Sequence, residues 1–204
     1  MLFNKAFTLA EVLIAVAIVG IIAVLTIPNF VVDASGQAFN TKFKTTYNQI
    51  EQVLIQAEYV QKHSFVDVSS DEHLLVGAKY TLDSYMKSHF NGVSKSNRDD
   101  KQIAPAGEDG SGLKSQTYKL KNGAEMIFVG ETLQTMNVTG CTNNKPCIVY
   151  IDVNGQKGPN QIVECTKNDP CIVDENIVND LFPIEIKFSS VAPGSEAVEY
   201  ILSK

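Results

Sequence analysis

Hydrophobic positions run unbroken near the start of the chain and become periodic afterwards. From Val12 to Ile27 the sequence VLIAVAIVGIIAVLTI holds no charged residue, and Phe7 to Ile27 makes an apolar stretch of 21 residues. As a helix that stretch spans roughly 31 Å at about 1.5 Å per residue. The hydrocarbon core of a bilayer is roughly 30 Å thick, so the helix can just cross it. Beyond Pro28, the positions Phe39, Phe43, Tyr47, Ile50, Leu54 and Ala57 recur at steps of three and four, one apolar face of a continuing helix. The polar break Asp33-Ala34-Ser35-Gly36 is where this helix is expected to kink. A second helix is predicted to start at a Ser69 or Ser70 cap with acidic Asp71 and Glu72, and to run through His73, Leu74, Leu75, Tyr80, Leu82, Tyr85 and Met86 to Phe90. Asn91 to Gly112 is polar and reads as a long surface loop.

From Gln116 the period changes to two. Tyr118 and Leu120 alternate with polar residues, Asn122-Gly123 offers a hairpin turn, and Met126 and Phe128 alternate again. Further strands are expected at Leu133–Val138, Ile148–Val153, Ile184–Phe188 and Ala197–Leu202. Helices first and strands afterwards make an α+β fold: a long N-terminal helix, its first half membrane-embedded, packed on a small antiparallel sheet. The expected divisions are 1–6 as a leader, 7–28 as the apolar helix and 29–204 as a globular domain. Within that domain the helix continues over 29–63, and the sheet with its cysteine loops occupies 116–204.

Composition narrows the function. The 204 residues carry 17 Lys+Arg against 23 Asp+Glu, a formal net charge of −6. That balance argues against broad nucleic-acid binding, which needs clustered cations to displace phosphate counterions. Lys42, Lys44, Lys95, Arg98 and Lys101 are expected to be solvated surface residues. His63, His73 and His89 are scattered with no nucleophile beside them, and there is no phosphate loop, so no enzyme activity is expected.

Lys5 precedes the apolar stretch and Asp33 is the first charge after it, which places the N-terminus in the cytoplasm and the bulk of the chain outside. The stretch can be a secretory signal peptide cut near Val32-Asp33-Ala34, a plain anchor, or a helix kept after removal of a short leader. Glu11 bears on the choice, since a carboxylate in apolar sequence costs about 2.5–3.5 kcal/mol at the bilayer centre and less near an interface. Cleavage before Phe7 would leave an amino group one helical turn from Glu11. A neighbouring copy shifted by about that rise would set its amine beside this carboxylate and fix the stagger of an assembly.

The run Lys5-Ala6-Phe7-Thr8-Leu9-Ala10-Glu11-Val12-Leu13-Ile14 resembles the prepilin cleavage and methylation motif of type IV pilins and type II secretion pseudopilins. The resemblance implies cleavage between Ala6 and Phe7 by a prepilin peptidase, N-methylation of Phe7, and a role for Glu11 in assembly. Gly20 and Pro28 fall where the family has helix-weakening residues, whereas Ala6 replaces the family's usual glycine before the cut. The partners implied are copies of the chain or other pilins, the peptidase, and the inner-membrane assembly machinery. The implied location is the bacterial inner membrane, followed by an extracytoplasmic filament. A membrane-tethered or secreted binding module is the alternative from another class.

Two loops, Cys141-Thr-Asn-Asn-Lys-Pro-Cys147 and Cys165-Thr-Lys-Asn-Asp-Pro-Cys171, form a repeat offset by 24 residues, each followed by Ile-Val. Their Asn and Pro favour a turn that brings the sulfurs of one loop together, so disulfides within each loop are expected, closing loops near the distal end. Cross-pairing and a tetrahedral zinc site are the alternatives. Between the loops, Asp152-Val-Asn154-Gly155-Gln-Lys-Gly158-Pro159-Asn160 offers oxygen ligands of the kind Ca²⁺ takes, with Asp152 and Asn154 as candidates. The alternative is a strand running into a turn in which both side chains bond nearby amides. The segment resembles one seen late in pseudopilin-like proteins, which tilts the reading toward a pseudopilin. No cofactor is required.

Overall fold

The computed structural model describes residues 8–70, 78–98, 115–167, 169–174 and 177–204. Helix α1 (Leu9–Ile55) has 47 residues and is about 70 Å long at 1.5 Å per residue. Its helical assignment runs without interruption through positions 20, 28 and 36, so the polar break around Gly36 does not end it. A π-helical turn over Gln56–Val60 ends it, a little short of the expected limit at 63. The predicted stripe is its buried face: Phe43, Ile50, Leu54 and Ala57 are fully covered, Tyr47 nearly so, and Phe39 packs at the margin.

That face lies on a six-stranded antiparallel meander of β3 (Ser94–Ser96), β4 (Gln116–Lys119), β5 (Glu125–Phe128), β6 (Cys147–Asp152), β7 (Leu181–Lys187) and β8 (Ser190–Pro193), neighbours in chain order. The period of two explains the layering. Met126, Phe128, Val149, Ile151, Phe182, Ile184 and Ile186 join the core that includes the α1 stripe. Ile127 and Leu181 face the other way into a smaller cluster with Tyr150 and Ile162. The Phe43 ring stacks on Phe182 with centroids 4.3 Å apart, and the Tyr47 hydroxyl donates to the Val191 carbonyl at 2.9 Å. These contacts fix the rod to the sheet.

The Asn122-Gly123 hairpin forms as expected, with Tyr118 opposite Met126, Gly123 at φ +81° and the Leu120 amide on the Ala124 carbonyl at 2.8 Å. Strand β7 begins three residues earlier than expected. It takes Pro183 in register with Tyr150, and the Pro183 carbonyl accepts from the Gly194 amide at 3.0 Å.

Two expected strands are helices. Residues 133–138 lie in α3 (Gly130–Val138), where Leu133 and Met136 are buried at a spacing of three and Thr132 donates to the Ile148 carbonyl. Residues 197–202 lie in α4 (Glu196–Ser203), where Ala197, Val198 and Ile201 share the buried face and the Ser195 hydroxyl accepts from the Val198 amide. Helical spacing and a serine cap override the short β-rich windows. The second predicted helix also shrinks. Its residues 71–77 lie outside the described residues, and Tyr80–Thr81 form β2, paired in parallel with β1 (Val68–Ser69). Among its described residues the helical part is α2 (Leu82–His89), capped by the Thr81 hydroxyl accepting from the Ser84 amide. The loop expected over 91–112 contributes β3, and its residues 99–112 lie outside the described residues.

Candidate functional site

Over Leu9–Thr26, α1 has no neighbour among the described residues that buries it. Leu9–Thr26 is an 18-residue window of mean hydropathy 2.7, none of it buried, and it is long and apolar enough to cross a membrane by length and composition. Leu9, Leu13, Val16, Val19, Ile21, Val24 and Leu25 are all more than 60% exposed. Apolar surface of this continuity needs lipid or other helices as its solvent.

The start of this helix is a capping box. The Thr8 hydroxyl accepts from the Glu11 amide at 3.3 Å, and Glu11 Oε2 accepts from both the Thr8 amide and the Thr8 hydroxyl at 2.8 Å. The Thr8-x-x-Glu11 spacing is the sequence signature of this box, and it gives Glu11 a partner within its own chain. Within one chain a single oxygen of the carboxylate thus takes both the amide and the hydroxyl of the cap residue. Ala6 and Phe7 lie outside the described residues, as do the side chains around Pro28. Gly20 faces open space, so a methyl group added there would meet nothing within 4 Å.

A second site is buried in the head. Arg98, expected at the surface, is fully covered, and its guanidinium pairs with Glu125 at 3.2 Å and with Asp152. It also donates to Asn160 Oδ1. Glu125 and Asp152 face one another across the β5–β6 register, and Ser96 donates to the second Glu125 oxygen at 2.9 Å. Asp180 closes the cluster by accepting from the Asn160 and Gln161 amides at 2.9 and 2.8 Å. Sequence reasoning missed Arg98 because no local pattern marks a residue whose partners lie 27 and 54 positions away.

The candidate calcium ligands sit in this cluster. Asp152 Oδ2 is taken by Arg98 and Oδ1 by the Asn154 amide at 3.1 Å, while the Asn154 side-chain amide donates to the Gly158 carbonyl. Of the oxygens in this cluster, among the described residues, only Asn154 Oδ1 lacks a protein partner, and one spare oxygen does not make the six to eight that calcium needs. The residues present therefore fit a guanidinium and do not fit a calcium ion. Burial pushes the Asp152 carboxyl up to about 6, with Asp180 adding to it and Arg98 pulling against it.

Disulfides join Cys141 to Cys147 and Cys165 to Cys171, which leaves no thiolate for a four-cysteine zinc site. Val163 and Val173, on either side of the second loop, line a groove with Ile177 and with Gly36, Asn40 and Lys44 of α1. The family model of the prokaryotic N-terminal methylation motif matches residues 1–27. This is the prepilin-type signal of type IV pilins and pseudopilins, and it falls on the exposed apolar helix and its capping box. No curated protein and no solved structure matches the chain.

Proposed function

We propose that the chain is a structural subunit of a type IV pilus or pseudopilus, processed by a prepilin peptidase between Ala6 and Phe7 and polymerised through α1. The observation that carries this reading is the coincidence of the methylation motif with an apolar helix that the head leaves entirely uncovered. Before assembly the helix resides in the inner membrane with the head outside. In the filament the same surface packs against neighbouring helices. Because lipid is as apolar as those helices, moving from one to the other yields packing rather than a new hydrophobic gain. Polar complementarity then sets register, and Glu11 is the carboxylate placed to supply it. Its Oε2 holds the Thr8 cap, and a neighbour's terminal amine pairs at the same carboxylate. Of the two filament classes we favour the pseudopilus, on the Asp152–Asn160 segment.

The test is a pair of variants read by filament yield and by membrane insertion. Thr8→Ala removes only the cap, worth about 1 kcal/mol of helix stability, and is expected to leave filaments near normal. Glu11→Val removes cap and partner together, and is expected to insert normally but not assemble. Normal filament yield from Glu11→Val would overturn the register role. A mature chain beginning near Ser35 rather than Phe7, read by intact mass, would overturn the filament reading itself.

A further inference from the structure

The head contains a histidine pair that neither the anchor nor the filament reading uses. His63 Nδ1 and His89 Nε2 stand 3.1 Å apart, although the residues are 26 positions distant in the chain. Each is held by its backbone. His63 follows Lys62, which adopts φ +60°, and the His63 amide donates to the Ala57 carbonyl at 2.9 Å, tying it to the π-helical turn that follows α1. His89 is the last residue of α2. The rings are held as well: His63 lies 4.6 Å from the Tyr80 ring and His89 4.4 Å from the Tyr85 ring. Two nitrogens are therefore fixed toward one another from two elements.

We propose that His63 Nδ1 and His89 Nε2 are the protein ligands of a divalent transition-metal site of the zinc class, with water completing the shell. Two imidazole nitrogens each about 2.0–2.1 Å from one metal, at angles of roughly 90–110°, stand about 2.9–3.4 Å apart, which brackets the separation seen. Imidazole suits zinc and its neighbours and is a poor ligand for calcium or magnesium.

A plain hydrogen bond between two neutral rings would also account for 3.1 Å. It leaves two other groups unexplained. The Tyr85 hydroxyl, on the ring that packs against His89, and Glu58 Oε2, on the π-helical turn ahead of His63, are buried without partners among the described residues. A donor and a carboxylate oxygen are what the waters of a hydrated metal engage from outside its first shell. The two unpartnered groups, one of them on the ring packed against His89, are of the kind that such waters engage. With both cysteine pairs oxidised, no thiolate competes for the ion.

The experiment is calorimetric titration of the full, tag-free chain in nonionic micelles with zinc chloride. One zinc ion per chain is expected, with affinity falling at least tenfold in His63→Gln and in His89→Gln. His73→Gln, which alters the third histidine, should bind as the parent does, and calcium chloride should not compete. A second measurement needs no variant: zinc should shield His63 and His89, but not His73, from carbethoxylation by diethyl pyrocarbonate, read by peptide mass. This decides the matter if the glutamine variants do not fold. No zinc binding, binding unchanged in both variants, loss of binding in His73→Gln, or no shielding of the pair would each overturn the proposal.

Discussion

Replacing Arg98 with Met tests the buried cluster most directly. The methionine keeps much of the side-chain volume and removes the charge. Glu125 and Asp152 would then face each other across the β5–β6 register with no cation between them, and Asn160 would lose its donor. Breaking a buried ion pair by removing one partner costs about 3–5 kcal/mol, because the remaining charge is stranded in a medium that solvates it poorly. Against a total stability of about 5–15 kcal/mol for a domain, that is a large fraction. It corresponds to a melting-temperature drop of roughly 6–20 °C for a chain of this size.

The assay is urea unfolding of the full chain in nonionic micelles, followed by near-ultraviolet circular dichroism of the head's tyrosines. The control is the triple variant Arg98→Met, Glu125→Gln, Asp152→Asn, which removes all three charges. Replacing a buried ionic cluster by neutral groups of similar volume is often close to neutral, so most of the lost stability should return. A loss below about 1 kcal/mol for Arg98→Met, or no recovery in the triple variant, would refute the view that Arg98 serves as the internal counter-ion.

The same cluster predicts a pH dependence. The Asp152 carboxyl rises from 3.8 to about 6 on folding, so between those values the folded chain holds a proton that the unfolded chain has released. Its contribution is complete below 3.8 and lost as pH rises through about 6. The destabilisation by Asp152→Asn should therefore be greatest near pH 4 and shrink by up to about 3 kcal/mol by pH 7.5, and a flat or rising difference would contradict it. Both disulfides close loops of the same sequence separation, 6, so each should contribute about 2–3 kcal/mol through the unfolded chain. Cys141 and Cys147 are buried while Cys165 and Cys171 are partly exposed, so the double alanine variant of the first loop should cost at least about 1 kcal/mol more in urea melts. Gly140→Ala should cost about 2–4 kcal/mol, since the residue has φ +67° and its Cβ would meet the Val66 carbonyl oxygen at 2.4 Å. Gly123→Ala, also left-handed but 3.9 Å from its nearest neighbour, should cost only about 1–2 kcal/mol in the same melt.

The sequence made some of this architecture readable and concealed the rest for identifiable reasons. The α1 stripe and the Asn122-Gly123 hairpin are local patterns of a fixed period, and both form as expected. Helices α3 and α4 read as strands in the sequence because each is about two turns long, and Thr135, Val138 and Val198 supply β-type residues within them. The spacing of Leu133 and Met136, and the cap at Ser195, were the better signals. The N-terminal motif was legible because its chemistry is carried by consecutive residues. Neither Arg98 nor the His63–His89 pair has that property: each becomes a site only when strands or helices distant in sequence are brought together.

One helix faces two environments, and this constrains how the chain could serve the proposed filament. Residues 9–26 are uncovered, whereas Phe43 to Ala57 are sealed against the sheet by the Phe43–Phe182 stack and the Tyr47–Val191 hydrogen bond. Any axial load on the apolar half reaches the head through that sealed face, because α1 is continuous from Leu9 to Ile55. The sheet has to resist the load as a unit. Its β5–β6 register is locked by the Arg98 cluster, and the entry to β6 is closed by the Cys141–Cys147 bridge. Weakening either should leave insertion of the apolar half untouched while lowering the stability of the head that the helix carries. The two roles proposed for α1 are therefore expected to be separable by mutation even though a single helix would perform both.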